Sequence, residues 1–279
     1  MHNPARPEPV VPAKLPRRTI LGAIPALFLV AACSKQSRAG DGDWTKSGSS
    51  PDKIDHSLWD TILANFGRQS PDGINRIDYA GIKQKAAGEL DRYVKSLEMM
   101  PIADFPRDEQ FAFWVNLYNA ATVRVITDNY PLKSIRDIGL LGQGPWKDKI
   151  LMVGGKELSL DDIEHGILRP VWKDVRIHYA VNCASLGCPN LALKAWRAEG
   201  LEAMLDQAAA AYVNHPRGFS RKDGQLIASS IYEWYQDDWG ADSDVLVHAK
   251  KYATTETLKI ISGSNSIDSY DYSWALNSI

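Results

Sequence analysis

Cysteine is scarce in this chain, three in 279 residues, at positions 33, 183 and 188. Long apolar runs are scarce too. The N-terminal one, TILGAIPALFLVAA at 19–32, covers 14 residues, short of the roughly 20 that carry a helix across a bilayer, and no later run approaches that length. There is no excess of positive charge: 32 Lys and Arg stand against 34 Asp and Glu, net −2. That balance argues against nucleic acid as a partner, which calls for a concentrated basic surface. No glycine-rich phosphate loop sits between a strand and a helix, and there is neither a Walker pattern nor HExxH. Their absence argues against nucleotide hydrolysis and zinc proteolysis.

What is present begins with a leader. Lys14, Arg17 and Arg18 precede the apolar run, and LVAAC closes it at Cys33. A basic segment, a short apolar core and small residues at its end describe a secretory signal peptide. LVAAC also resembles the lipobox of bacterial lipoproteins, which implies that residues 1–32 are removed and that Cys33 is lipidated. Ser34, where an aspartate would signal retention, points to the outer membrane rather than the inner, with the protein facing the periplasm of a bacterial envelope. Residues 1–32 hold four basic residues and one acidic, so the remainder carries −5 against −2 for the whole chain. The lipid, not surface charge, is then the expected membrane partner. Residues 33–53, rich in Gly, Ser and charge, read as a flexible tether, and 54–279 as a single globular domain.

Apolar spacing predicts amphipathic helices over 56–66 and 79–99. Residues 111–125, FWVNLYNAATV at their centre, are apolar on nearly every side, as in a helix through a core. Asn116 and Asn119 interrupt it on one face. Such buried amides either tie neighbouring loops to the helix or line a site as orienting or oxyanion-stabilising groups. KILMVGGKELSL and SRKDGQLIASS read as hairpins, DDIEHGILR as a short helix stopped by Pro170, RIHYAVN as a strand, and 194–216 as a long helix. The fold class is α+β, helices packed on a small antiparallel sheet. Tyr232, Trp234, Tyr235 and Trp239, at helical spacing, are expected in the core.

The stretch RIHYAVNCASLGCPNL at 176–191 concentrates the chemistry. A thiol nucleophile needs thiolate character from an imidazole or a helix N-terminus, and His178 and His165 are both near Cys183 in sequence. On an unbroken strand His178 and Cys183 face opposite ways, so their pairing requires the chain to turn after Val181; otherwise His165 is the better base. Cys188 opens rival readings. An exported chain with a spare cysteine pair favours a Cys183–Cys188 disulfide, and a reversible one would protect a nucleophile or serve thiol exchange. A zinc site on Cys183, Cys188, His178 and His165 is the weaker alternative, because CxxxxC with one leading histidine is not a common finger spacing. No cofactor and no metal are expected. Arg169 and Arg176 are candidates for an anionic substrate group, although nearby acids offer each an ion pair.

FAFWVNLYNAATV, LSLDDIEHGILR, IHYAVNCASLGCPNL, SSIYEWYQDDW and YDYSWALN resemble, in this order, the domain-of-unknown-function 547 family, over about 111–277. The family looks related to papain-like and transglutaminase-like thiol enzymes. The resemblance implies that fold and a triad of Cys183, His178 and Glu164, with Asn119 and His165 in adjoining blocks. The function expected on this basis is that of a lipid-anchored, thiol-dependent enzyme, performing acyl transfer or amide or thioester hydrolysis on a peptide-like or thiol-containing small substrate. The alternative is a non-enzymatic binding lipoprotein whose Cys183–Cys188 disulfide stiffens a recognition loop.

Overall fold

The structure, a computed structural model, describes residues 43–139 and 142–279. The leader at 1–32 and the lipidation site Cys33 lie outside the described residues. Of the expected tether, 43–53 is described, and part of it is pinned. Gly48 and Ser50 donate backbone hydrogen bonds to Phe105 and Asp104, Gln110 Nε2 reaches Lys46 O at 2.9 Å, and Trp44 meets Trp114 edge-on at 5.1 Å. A tryptophan among the Gly and Ser residues is what docks this stretch.

The architecture is the expected α+β. Four helices come first: α1 Ser57–Phe66, α2 Tyr79–Lys85, α3 Ala87–Glu98 and α4 Arg107–Asn129. The hairpin β1 Gly67–Gln69 and β2 Asn75–Ile77 joins α1 to α2. Helix α4 is the axis of the larger core. Its residues 109–123 are buried without interruption, which is why the sequence is apolar on all sides there, and α2 and α3 pack along it. The expected single helix over 79–99 breaks at Ala86, whose φ of −139° leaves the helical region.

The hairpin β3 Leu151–Val153 and β4 Lys156–Leu158 follows, turning at Gly154 and Gly155. Next comes a π-helical turn, Asp162–Leu168, which runs directly into α5, Arg169–Trp172. Pro170 does not stop the chain, because it sits in the first turn of α5, where a missing N–H costs nothing.

The expected strand over 176–182 is instead a helical turn, α6 Ile177–Ala180. All four of its residues are buried. The alternation of Ile177, Tyr179 and Val181 suggests one buried face, but both faces are covered, and a helical turn satisfies backbone groups that would otherwise need a neighbouring strand. The long helix expected over 194–216 shrinks to α7, Leu201–Val213, started by Gly200 at φ 74°.

The second core gathers α7, the hairpin β5 Phe219–Lys222 and β6 Gln225–Ser229, and four helices: α8 Ser230–Trp234, α9 Gln236–Trp239, α10 Asp242–Tyr252 and α11 Thr255–Ile261. Strand β7, Ser269–Asp271, adds to β6 in parallel, so this three-stranded sheet is mixed. Among the described residues no helix is long and apolar enough to cross a membrane.

Candidate active site

Helix α6 ends at Ala180, and Val181 is extended at φ −90°, ψ 140°. Three residues later Ala184 takes the left-handed conformation, φ 61°. The chain therefore turns sharply around Cys183, and it is held there from two sides. Asn119, on α4, donates Nδ2 to Ala180 O at 2.9 Å and accepts the Asn182 N–H on Oδ1 at 2.8 Å. Asn182 in turn accepts the Ala184 N–H at 2.9 Å and donates to Pro189 O at 2.7 Å. Asn116, one turn earlier on α4, grips Trp196 in the same two-bonded way. Both α4 amides tie loops and neither lines the cavity; Asn119 sets where the thiol stands.

Cys183 is partly exposed and lines a cavity of about 950 Å³ together with Cys188, Glu164, His165 and His178. Its own contacts are thiol and hydroxyl groups: Cys188 Sγ at 3.1 Å, Tyr272 Oη at 3.1 Å and Ser185 Oγ at 3.2 Å. Both cysteines are free thiols. The Cys188 hydrogen bond, with those from Ser185 and Tyr272, outweighs burial and lowers the Cys183 thiol to about 7. Burial pushes Cys188 well up, and the neighbouring Cys183 adds to this. The pair is asymmetric, one sulfur poised as thiolate and the other kept as a hydrogen-bond donor.

No hydrogen bond joins Cys183 to His178 or His165 among the described residues. His178 is claimed by carboxylates. Its Nε2 lies 2.7 Å from Asp238 Oδ2 and its Nδ1 faces Glu164 Oε1 at 3.8 Å. The ring stacks on Tyr235 at 4.0 Å between centroids. Arg169 Nε binds the same Asp238 oxygen at 2.5 Å, its guanidinium lying over Tyr235. Because the Asp238 carboxylate can only accept, Nε2 of His178 carries a proton. Burial pushes the Asp238 carboxyl up, but bonds from His178 and Arg169 overcome this and hold it well below the usual range.

Glu164 is buried in the π-turn. Burial raises its pKa, yet the charges of His165 and His178 and the hydroxyls of Tyr235 and Tyr118 bring it below the ordinary glutamate value. Its neighbour His165 also faces the cavity. His165 Nδ1 accepts from Arg169 Nη1 at 3.2 Å, and its Nε2 points to Asp161 at 3.8 Å. Arg169 is thus committed to Asp238 and His165. Arg176 is committed to Asp174, Glu202 and Asp206.

Several groups at the site escaped the sequence reading. Asp238 and Tyr235 lie in the SSIYEWYQDDW block, where the aromatic spacing was read as core. That reading holds for Tyr232 and Trp239, which are buried, while Trp234 and Tyr235 line the cavity. Tyr272 and Trp274 come from YDYSWALN. This segment runs alongside the Cys183 loop, with Leu186 and Gly187 donating to Ala275 O and Ser273 O. The resemblance of these two blocks to the family is the available signal. Trp274 stacks on Trp234 at 5.4 Å and meets Trp146 edge-on at 5.7 Å, giving the cavity an indole wall. Among the described residues, no group of three or more His, Cys, Asp or Glu is placed to hold a metal ion.

Residues 102–213 match the model of a family described as protein of unknown function, DUF547, the family that the sequence blocks resemble. The matched segment contains Glu164, His165, His178 and both cysteines; Tyr235, Asp238 and Tyr272 lie beyond it. No curated protein and no solved structure matches the chain.

Proposed function

We propose that this protein is a thiol-dependent enzyme, with Cys183 as nucleophile, that transfers or hydrolyses an acyl group of a peptide-like or thiol-containing small substrate. The observation that carries the reading is the Cys183 thiol itself. It opens on a roomy cavity and is lowered to about 7 by its hydrogen bonds with Cys188, Ser185 and Tyr272, so thiolate is accessible near neutral pH. Cys183 Sγ attacks the acyl carbon, and the carbonyl oxygen becomes an oxyanion. Tyr272 Oη, 3.1 Å from the sulfur, is the nearest side-chain hydroxyl of high pKa suited to stabilise that charge.

Glu164, His178 and Asp238 form the acid–base side of the cavity. His178, anchored through Nε2 to Asp238, faces Glu164 through Nδ1 at 3.8 Å, and this pair is the candidate to protonate the leaving group and then to take a proton from the water or acceptor that releases the acyl chain. His178 is in this reading the proton carrier of the site, and Cys183 draws its thiolate from Cys188, Ser185 and Tyr272. The leader and LVAAC motif support, within the same proposal, a lipid anchor at Cys33 with the enzyme facing the periplasm from the outer membrane.

Activated acyl esters and thioesters test the reading. Wild-type protein is expected to release the leaving group in a burst and to gain the acyl mass on Cys183, whereas Cys183→Ala does neither. A Cys183→Ala protein as active as wild type overturns it. The same intact-mass measurement on protein taken from cells reads whether Cys33 carries a diacylglyceryl group.

A further inference from the structure

We propose that Cys183 and Cys188 are an attacking and a resolving thiol, so that the site also performs thiol–disulfide exchange with small-molecule disulfides. The inference rests on Cys183 being the reactive thiol of the preceding reading. It starts from placement. The sulfurs stand 3.1 Å apart, about an ångström from the roughly 2.05 Å of a bond. The loop between them is closed by other means: Asn182 bonds both Ala184 N and Pro189 O, and Cys188 N donates to Ser185 O at 3.2 Å. The entropy of bringing the two cysteines together is therefore already met without a covalent bond.

Access divides the roles. Both cysteines line the cavity, Cys183 partly exposed and Cys188 only 6% exposed. A disulfide that enters the cavity has the better access to Cys183, and Cys188, with its sulfur 3.1 Å away, stands next to what Cys183 captures.

The electrostatics set the order of events. Burial, then the hydrogen bond and charge of Cys183, keep the Cys188 thiol high, whereas the Cys183 N–H, 3.1 Å from the Cys188 sulfur, works in the opposite direction. When Cys183 enters a mixed disulfide its charge is gone. Two of the influences that hold Cys188 protonated disappear, and the N–H that favours its thiolate remains. Burial still opposes the Cys188 thiolate, but that thiolate is less disfavoured once there is a bond to resolve than before.

The chemistry balances. The Cys183 thiolate attacks a disulfide RSSR; the Cys183–SR bond forms, the S–S bond of RSSR breaks, and one RS⁻ leaves. Cys188, having given its proton to solvent, attacks the Cys183 sulfur; the Cys183–Cys188 bond forms and the second RS⁻ leaves. The protein loses two electrons and two protons, and RSSR becomes two RSH.

Glutathione disulfide is the probe. Reduced full-length protein is incubated with it at pH 7, quenched with acid, alkylated, digested and mapped, which keeps Cys33 separate from the pair. Wild type is expected to show a transient glutathione adduct on Cys183 and then a Cys183–Cys188 cross-linked peptide with neither thiol alkylated. In Cys188→Ser the adduct on Cys183 is expected to persist. A stable adduct in wild type, with Cys188 still open to alkylation, overturns the inference, and that readout needs no variant to fold. Alkylation of the reduced wild type separates the two readings. Cys183 should react about tenfold faster than free cysteine at pH 7. Fast alkylation without a cross-link defeats exchange alone; alkylation at the rate of free cysteine defeats the nucleophile and the exchange with it.

Discussion

The thiolate of Cys183 owes its stability to neighbours that can be removed one at a time. Its pKa is lowered, so the reactive form is populated above about pH 7 and lost as pH falls below it. The rate of alkylation should rise through that pH and level off above it. Tyr272→Phe keeps the ring and deletes one hydrogen-bond partner of the sulfur. It should move the midpoint upward by up to about one unit, the worth of a hydrogen bond to a charged group. A pH profile of iodoacetamide reactivity, followed by mass spectrometry at Cys183, checks this; an unmoved midpoint assigns the lowering to Cys188 and Ser185. At this scale the sequence named groups that share a cavity better than it paired them. Cys183, His178 and Glu164 do share a cavity, but the partners of the imidazole are Asp238 and Glu164, and Asp238 is 60 residues from His178. Nothing local in a sequence announces such a partner.

Elements show where local pattern misleads. Ile177, Tyr179 and Val181 alternate as a half-buried strand would, and the question of whether His178 could face Cys183 rested on that alternation. In α6 the question dissolves, because the helical turn followed by extended Val181 and left-handed Ala184 sets the two side chains independently of strand parity. The hairpins β3–β4 and β5–β6, in contrast, were legible, since a Gly-Gly or Asp-Gly pair between apolar runs fixes register through the turn alone. The approach of the 271–277 segment to the Cys183 loop makes a further demand on sequence. A β-carbon on Gly187 would lie 2.8 Å from Ser273 N and 2.9 Å from the Tyr272 ring. Gly187→Ala should therefore push the Tyr272 segment away, slow alkylation of Cys183 at pH 7 several-fold and cost about 1–3 kcal/mol. Urea unfolding together with the alkylation assay reads both, and a change in stability with unaltered thiol reactivity would show that the segment shifts elsewhere.

For the molecule as a whole, α4 is what makes one site out of distant parts. It is buried in the larger core, and through Asn119 it fixes the end of α6 and the start of the Cys183 loop. Asn119→Ala leaves the Ala180 carbonyl and the Asn182 N–H without their partners and should destabilise the protein by about 2–3 kcal/mol. The midpoint of urea denaturation measures it, with Asn116→Ala, which frees the Trp196 backbone instead, as a comparison that loosens α4 without touching the thiol loop. The all-round apolar character of 111–125 made this helix legible, and the two asparagines within it stood out for the same reason. The mixed sheet was not legible, because β7 reaches β6 across the length of α8 to α11.

The contact between Cys183 and Tyr272 spans 89 positions of sequence. A growing chain has made its thiol long before the phenol that helps to sharpen it. Until the late segment docks, Cys183 is a duller thiol than it will become, and the full reactivity of the site arrives as a certificate of completed folding.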